Sequence, residues 1–287
     1  MKLFTYTALL SLVCMINQLH AQNGWTRTKN GYYFQLSASH FATNNYYSTE
    51  GILYGSGSKF ISNGLIAYGE FGLTSRITGV LDLPVLMVNR FSTTGTVAGV
   101  GNIRIGAKYR LIDVIPLSVQ VDFDIPTGNG INYATAKRPN ALGIFEEINL
   151  PTTDGEFNVW TTLAASASTS DGKTYGNLFA AANFRTQSFT NQYQAGLEIG
   201  HLFFERLYVI GKCRIQNKLV SSKETHANAS FLYGEGTTYT AYNLSLLYKV
   251  NSRLRLVGAL ADFSGAIVSR RNIYDGVTYT LGVAIER

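Results

Sequence analysis

The chain has 287 residues, of which 46% are hydrophobic and 15% are charged, and its formal net charge is +6. Its basic residues are scattered along the sequence, whereas a nucleic-acid-binding protein needs a basic patch or stripe, so we predict no nucleic-acid partner. Beyond the first 21 residues only Cys213 remains, which excludes an internal disulfide from that part of the chain.

The first 21 residues have the pattern of a secretory signal peptide. Lys2 provides a positive start, residues 3–19 are largely apolar, and Ala21 is a small residue at a cleavage position. We therefore predict a signal peptide over 1–21 and a single exported domain over 22–287. No later apolar stretch reaches the roughly 18 residues that a membrane-spanning helix needs. An exported chain of this kind is either a soluble secreted β-protein or a closed barrel.

Alternation of apolar and polar residues with a period of two recurs along the chain, in segments of about ten residues separated by turn-forming residues. In 103–111, isoleucine, alanine, tyrosine and leucine share one face, while arginine, glycine and lysine share the other. The pattern predicts strands over residues 31–41, 60–72, 76–88, 100–112, 116–126, 156–168, 174–186, 191–202, 207–217, 238–250, 253–264 and 276–287.

These strands predict an all-β fold, an antiparallel up-and-down transmembrane β-barrel of about twelve strands. Short connections alternate along the chain with longer ones over residues 42–59, 127–155, 218–237 and 265–275. Short turns at one end and long loops at the other are typical of an outer-membrane barrel, whereas a soluble sandwich has no reason to alternate in this way. We expect the short turns to lie at the periplasmic end.

The charged faces of the strands carry the candidate functional residues. A turn at 113–115 sets Arg104 opposite Asp124 and Gly106 opposite Asp122, with Lys108 diagonal to Asp122. A Lys or Arg on the lipid face near the midplane costs about 2–4 kcal/mol, so we expect such residues to face the lumen. The predicted lumen-facing residues are Glu70, Arg76, Asp82, Arg104, Lys108, Arg110, Asp122, Asp124, Glu198, Lys212, Arg214, Lys249, Arg253 and Arg255.

A charged lumen has two interpretations, a structural plug of ion pairs or a conduit whose fixed charges select solutes. Barrels of about eight strands are filled by side chains, and barrels of about sixteen hold an open channel. Twelve strands fall between these sizes, so we favour ion pairing beside a narrow pathway. Several bases lie near the predicted periplasmic ends of the strands, which favours anions; they are Arg76, Arg110, Lys249, Arg253 and Arg255.

The sequence offers no catalytic, cofactor-binding or metal-binding site. His40, His201 and His226 are each isolated in sequence, no His, Cys or carboxylate cluster has metal-ligand spacing, and nothing singles out Ser166 or Ser245 on a neighbouring strand as a nucleophile. Residues 101–108 differ from a phosphate-binding loop, because Ala107 separates the second glycine from the lysine. We therefore predict that the protein is no enzyme and carries no cofactor.

Three stretches of the sequence resemble a known family. Residues 68–76 read YGEFGLTSR and are followed by ITGVLDLPVL, residues 99–111 read GVGNIRIGAKYRL, and residues 126–130 read PTGNG. These motifs resemble those of the MetA-pathway-of-phenol-degradation, or transporter-like, family of outer-membrane barrels. The resemblance covers residues 65–130 and is diffuse elsewhere. It implies an outer-membrane barrel without enzyme activity and a channel for small molecules, hydrophobic ones included.

Two functions follow from this interpretation. The first is a passive or weakly selective outer-membrane channel for small molecules, with hydrophobic and anionic solutes both left open. The second is a non-conducting structural or surface-interaction barrel that acts through its loops at 127–155 and 218–237. A soluble secreted β-protein ranks third, because alternation alone does not distinguish inside from outside. The expected partner is outer-membrane lipid, and the oligomeric state stays open because lipid-facing and subunit-facing surfaces are both apolar.

Overall fold

The computed structural model of the protein describes residues 22–187, 189–219 and 236–287. The predicted signal peptide, His226 and most of the predicted loop 218–237 lie outside the described residues. In the described part of the chain, no helix is long and apolar enough to cross a membrane.

Sixteen strands occur within the described ranges. In chain order they are β1 (Tyr32–Tyr47), β2 (Leu53–Gly72), β3 (Ile77–Phe91), β4 (Thr96–Gly99), β5 (Ile103–Ile112), β6 (Leu117–Ile125), β7 (Tyr133–Thr135), β8 (Glu147–Asn149), β9 (Asn158–Ser168), β10 (Thr174–Arg185), β11 (Gln192–Phe203), β12 (Leu207–Lys218), β13 (Tyr239–Lys249), β14 (Leu254–Ser264), β15 (Ile273–Asp275) and β16 (Thr278–Glu286).

Twelve of these strands form a closed antiparallel barrel. The ring closes because β1 pairs with β2 on one side and with β16 on the other. Around the ring the order is β1, β2, β3, β5, β6, β9, β10, β11, β12, β13, β14 and β16. All twelve strands that the alternation predicts are present, and the predicted fold class is confirmed. Chain order equals spatial order, so each strand is joined to its neighbour by a hairpin connection.

The four remaining strands lie outside the ring: β7, β8 and β15 fall within predicted loops, and β4 falls between the predicted strands 76–88 and 100–112. β4 pairs with β3, β15 pairs with β1, and β7 pairs with β8. The predicted loop over 42–59 is wrong, because β1 and β2 continue through it and leave only 48–52 as the connection. The ladder continues there with Tyr46 opposite Tyr54, whose rings stack with centroids 5.8 Å apart.

The connections define two ends of the barrel. We call the end that carries residues 73–76, 113–116, 169–173, 204–206 and 250–253 the lower end, and all of these turns are short, as predicted. The other end, the upper end, carries the longer connections, although 48–52 and 186–191 are short as well.

The two faces of the barrel wall differ in polarity. Outward positions are large and apolar and remain accessible, with Leu178 64% and Ile199 58% exposed. Inward positions are mostly polar or small and are buried. A cluster of buried apolar side chains lies at the upper end and consists of Phe60, Phe91, Val97, Ala134, Leu150 and Tyr274. The barrel therefore inverts the arrangement of a soluble protein, in which apolar side chains fill the interior.

Candidate functional site: the barrel lumen

Residues 22–30, which we call the N-terminal segment, lie inside the lower part of the lumen. At the lower end, the amide of Asn30 donates to the carbonyl of Gly72 at 2.8 Å. Further in, the amide of Gly24 donates to Ser166 Oγ at 2.7 Å, and Ser118 Oγ donates to the carbonyl of Asn23 at 2.9 Å. Because Ser118 and Ser166 are buried inward positions of β6 and β9, the segment is held by the lumen wall.

The N-terminal segment also contacts strands on other sides of the lumen. The ring of Trp25 meets the ring of Tyr175 on β10 edge to face, with centroids 5.9 Å apart. On β3, Thr78 Oγ1 accepts a hydrogen bond from the amide of Arg27 at 2.8 Å. A Cβ at Gly24 would lie 1.8 Å from the carbonyl oxygen of Pro116, so this close approach requires glycine.

A cluster of ion pairs fixes the N-terminal segment to β2 and β5. The carboxylate of Glu70 accepts from Arg27 Nε at 2.6 Å and from the Tyr68 hydroxyl at 2.9 Å, and it lies 3.3 Å from Lys108 Nζ. The Lys108 ammonium also donates to Asn23 Oδ1 at 3.2 Å. Glu70 and Lys108 are only 4% and 1% exposed, so their charges depend on one another for compensation.

A second polar group lies on the neighbouring strands β9 to β12. Glu198 Oε1 accepts from the Tyr175 hydroxyl at 3.1 Å and from Asn177 Nδ2 at 2.9 Å, and Lys212 Nζ lies 3.9 Å from Glu198 Oε2. Asn177 Oδ1 in turn accepts from Ser166, the residue that binds Gly24. We call these residues and the Glu70 group together the lower cluster.

Above the N-terminal segment, the lumen contains a cavity of about 400 Å³. Gln22 lines it, so the segment forms part of its floor. On the β3–β6 side, the wall carries Asp82, Arg104, Asp122 and Asp124. Arg104 donates to Asp124 at 2.8 Å, and the Gln120 amide donates to both carboxylate oxygens of Asp122 at 2.8 and 2.9 Å. On the far side, Arg214 donates to the Tyr239 hydroxyl at 3.3 Å.

The strand register that the sequence predicts for the β5–β6 hairpin is confirmed over most of its length. Arg104 lies opposite Asp124 and Gly106 lies opposite Asp122. A register shift follows Arg110, and it places Ile112 opposite Leu117 instead of Pro116. Lys108 lies opposite Gln120, and its ammonium reaches the lower cluster because the Glu70 carboxylate and the N-terminal segment meet there.

The remaining predicted lumen-facing residues lie at the lower end. Arg76 and Arg110 both pair with Asp113, a partly exposed residue of the turn between β5 and β6. Lys249 Nζ and the Arg255 guanidinium lie 5.3 and 5.6 Å from the ring centroid of Tyr208, and Arg255 also pairs with Glu286. Arg253 is exposed in a turn. The fourteen residues thus divide among the lower cluster, the upper cavity and the lower rim.

Several wall residues escaped the sequence analysis. Arg185 forms two hydrogen bonds with the Glu156 carboxylate, at 2.9 and 2.5 Å, and both side chains are almost fully buried. A set of amide side chains also lines the cavity and consists of Asn158, Asn183, Gln192, Gln194 and Gln216. Each of these amides lies on a predicted strand, so the alternation could have found them. The predicted lumen set contains charged residues alone, so these neutral amides fall outside it.

Within the described ranges, no group of three or more His, Cys, Asp or Glu side chains is placed to hold a metal ion. Among the described residues, the lumen therefore offers hydrogen-bonding side chains, paired charges and one cavity of about 400 Å³, and it offers no cluster of metal ligands.

Comparison with known proteins places this fold among outer-membrane barrels. No family model matches the chain, and no curated protein sequence matches it. Among solved structures, the COG4313 outer membrane channel from Pseudomonas putida F1 superimposes with a TM-score of 0.62 at 17% identity, over 90% of this chain and 96% of that one. The translocator domain of the autotransporter NalP from Neisseria meningitidis gives 0.53 at 7% identity, over 91% and 89%. The fold that the sequence resemblance implies is therefore confirmed.

Proposed function

We propose that this protein is an outer-membrane channel for small molecules, as the sequence resemblance implies. The observation that carries the proposal is a polar cavity of about 400 Å³ inside a closed barrel whose outer face is apolar. A polar interior and an apolar exterior suit a barrel that conducts solutes through a lipid bilayer. The COG4313 protein, which has the same fold, is described as a channel. The proposal assigns the chain no catalytic role.

Export through a cleaved signal peptide is part of this proposal, with lipid of the outer membrane as the surrounding partner. Gln22, the first residue after the predicted cleavage position, lines the cavity floor. A chain end at this position suits the confined space of the lumen. Outward side chains such as Leu178 and Ile199 provide the surface that lipid chains would cover.

The N-terminal segment sets the resistance of the proposed channel. It crosses the lower lumen and is bound by strands from β2 to β10. A solute that enters the upper cavity therefore meets this segment before it reaches the lower end. We expect the intact protein to conduct weakly, which agrees with a narrow pathway beside structural ion pairs.

Planar-bilayer recordings of the refolded chain 22–287 test the proposal. We expect small ionic currents from this chain and currents several times larger from a chain that begins at Gly31. A third chain, with residues 22–30 replaced by a Gly-Ser stretch of equal length, removes the side-chain contacts but keeps the length. It should also conduct more than the natural chain. Absence of current from the folded natural chain would contradict the channel, whatever the two altered chains conduct.

The alternative, a non-conducting barrel with a structural or surface role, has one observation in its favour. The lower lumen is filled by buried ion pairs and by the N-terminal segment, which is the arrangement of a plug. The same recordings decide between the two functions, because a permanent plug leaves the intact chain without current. Recovery of the natural protein from the soluble fraction without detergent would refute both membrane functions.

A further inference from the structure

On the β9–β12 side of the upper cavity, five of the nine lining residues carry amide side chains. Asn158 on β9, Asn183 on β10, Gln192 and Gln194 on β11 and Gln216 on β12 all line it. The register brings neighbours together, since Asn183 lies opposite Gln192 and Gln194 lies opposite Gln216. Gln194 Nε2 donates to Gln216 Oε1 at 2.7 Å. We call these five residues the amide wall.

Part of the amide wall has unused hydrogen-bonding capacity. Trp160 lies directly opposite Asn183, and Asn158 is the next inward position on β9. Trp160 Nε1, Asn158 Oδ1 and Asn183 Oδ1 have no hydrogen-bond partner, although all three side chains are more than nine-tenths buried and line the cavity. One donor and two acceptors therefore lie at adjacent positions of two strands without partners. Native proteins normally pair buried polar groups of this kind.

Two arginines lie beside Trp160 and Asn183, and each is paired with a carboxylate. Arg104 donates to Asp124 at 2.8 Å, and its guanidinium lies 5.4 Å from the ring centroid of Trp160. On the other side, Arg185 is held by both oxygens of Glu156. A charged solute beside Trp160 and Asn183 would have to compete with the carboxylates for Arg104 or Arg185. Another arginine of the cavity, Arg214, lies two strands away from Asn183 on β12 and donates to the Tyr239 hydroxyl.

We propose that the amide wall binds a small neutral solute with several hydroxyl groups, such as a monosaccharide, and this inference rests on the proposed channel function. A hydroxyl both donates and accepts, so hydroxyl groups can serve both the Trp160 donor and the asparagine acceptors, which lie covered in the wall and turn toward the cavity to reach the solute. An apolar solute would leave these groups covered and unpaired, which weakens binding by about tenfold per group. The cavity of about 400 Å³ lies in the size range of small-molecule sites.

Tryptophan fluorescence can report on this site directly. The chain has two tryptophans, Trp25 and Trp160, so Trp25→Phe leaves one reporter within the site. The variant is titrated in lauryldimethylamine oxide, because sugar-based detergents would compete. We expect a saturable change with D-glucose. We expect affinities at least about tenfold lower for cyclohexanol, which has the ring without most of the hydroxyls, and for D-glucuronate, which adds a negative charge.

Substitutions then locate the binding. Asn183→Leu in the reporter background should weaken glucose binding about tenfold, and Asn158→Leu should act in the same direction. Asn44→Leu, at an exposed position of β1 away from the cavity, is the matched control and should leave the affinity unchanged. The comparison of the three solutes needs no substitution in the wall, so it stands even where a wall variant does not fold.

Each result decides one of the two proposals. Equal affinities for glucose, cyclohexanol and glucuronate, or no response to glucose, would overturn the amide wall as a sugar site. The same holds if Asn183→Leu binds glucose like the parent. The titration is made without a membrane gradient, so its result is independent of conduction. Glucose binding by a chain that never conducts would support the sugar site and refute the channel. Conduction without glucose binding would support the channel and refute the sugar site.

Discussion

The lower and upper halves of the lumen are built from the same alternating strands, but their inward polar side chains find hydrogen-bond and charge partners to different extents. In the lower half, charges and a piece of the chain's own backbone satisfy one another, with Glu70 between Arg27 and Lys108. In the upper half, a cavity of about 400 Å³ remains, and among the residues that line it Trp160, Asn158 and Asn183 each keep one buried polar atom without a hydrogen-bond partner.

The difference shows how the polar groups inside a barrel affect its stability and its capacity to bind a solute. Buried charges must be paired, since an unpaired one costs several kcal/mol, roughly 3–5 when a partner is removed. Neutral amides cost less when left incomplete and can exchange partners. Paired ions occur in both halves, but in the upper half neutral amides that can exchange partners also line the cavity.

The largest expected effect comes from the centre of the lower cluster. Glu70→Gln removes the carboxylate that Arg27 and Lys108 share, and it leaves the Lys108 ammonium buried with reduced compensation. We expect a loss of about 3 kcal/mol in the free energy of unfolding, measured by urea titration of the refolded barrel in liposomes.

The matched control for this change is Glu205→Gln. Glu205 pairs with Lys173 at 2.5 Å in the lower turns, but both side chains are exposed. Surface ion pairs contribute little, so we expect no measurable change. Equal losses at Glu70 and Glu205 would show that burial of the lower cluster does not matter for stability.

An intermediate effect is expected at Gly24, where the N-terminal segment touches the wall. Gly24→Ala places a methyl group against the Pro116 carbonyl, and we expect it to weaken docking of the segment by about 2 kcal/mol. Trypsin should then cut after Arg27 faster than in the natural chain, and ionic current should rise. Gly211→Ala, where the added Cβ meets no atom within 4 Å, is the control. Unchanged cleavage at Arg27 would contradict the docking.

The smallest effect is expected in the upper cavity. Asp124→Asn keeps the shape of the side chain but removes the negative partner of Arg104, in a pair that is 12–16% exposed. We expect a loss of about 1 kcal/mol in stability and a shift of the reversal potential in a salt gradient toward anion preference. Asp262→Asn, exposed on β14, should change neither quantity. A stability loss as large as that of Glu70→Gln would erase the contrast between the two halves.

The alternation was sufficient to predict the barrel, because one face of every strand points outward and is apolar and the other faces the lumen. It also predicted Arg104 opposite Asp124, although the turn is one residue longer than expected and the register shift after Arg110 compensates for it. It could not predict the partner of Lys108, which comes from β2, two strands away in the ring, and from the N-terminal segment. Residues 22–30 have no periodic pattern, so nothing local in the sequence indicates that they enter the lumen.

The pairing of β1 with β16 has a consequence for the order in which the barrel assembles. Phe34 and Ile285 lie opposite each other although they are about 250 residues apart, and bringing such distant ends together costs about 5 kcal/mol of chain entropy. The seam therefore forms late, after the neighbouring hairpins. The bonds that hold the N-terminal segment come from β2 to β10, so a curled, still open sheet can receive the segment first. Closure of the seam then traps it, and no end of the chain has to be threaded through a finished pore.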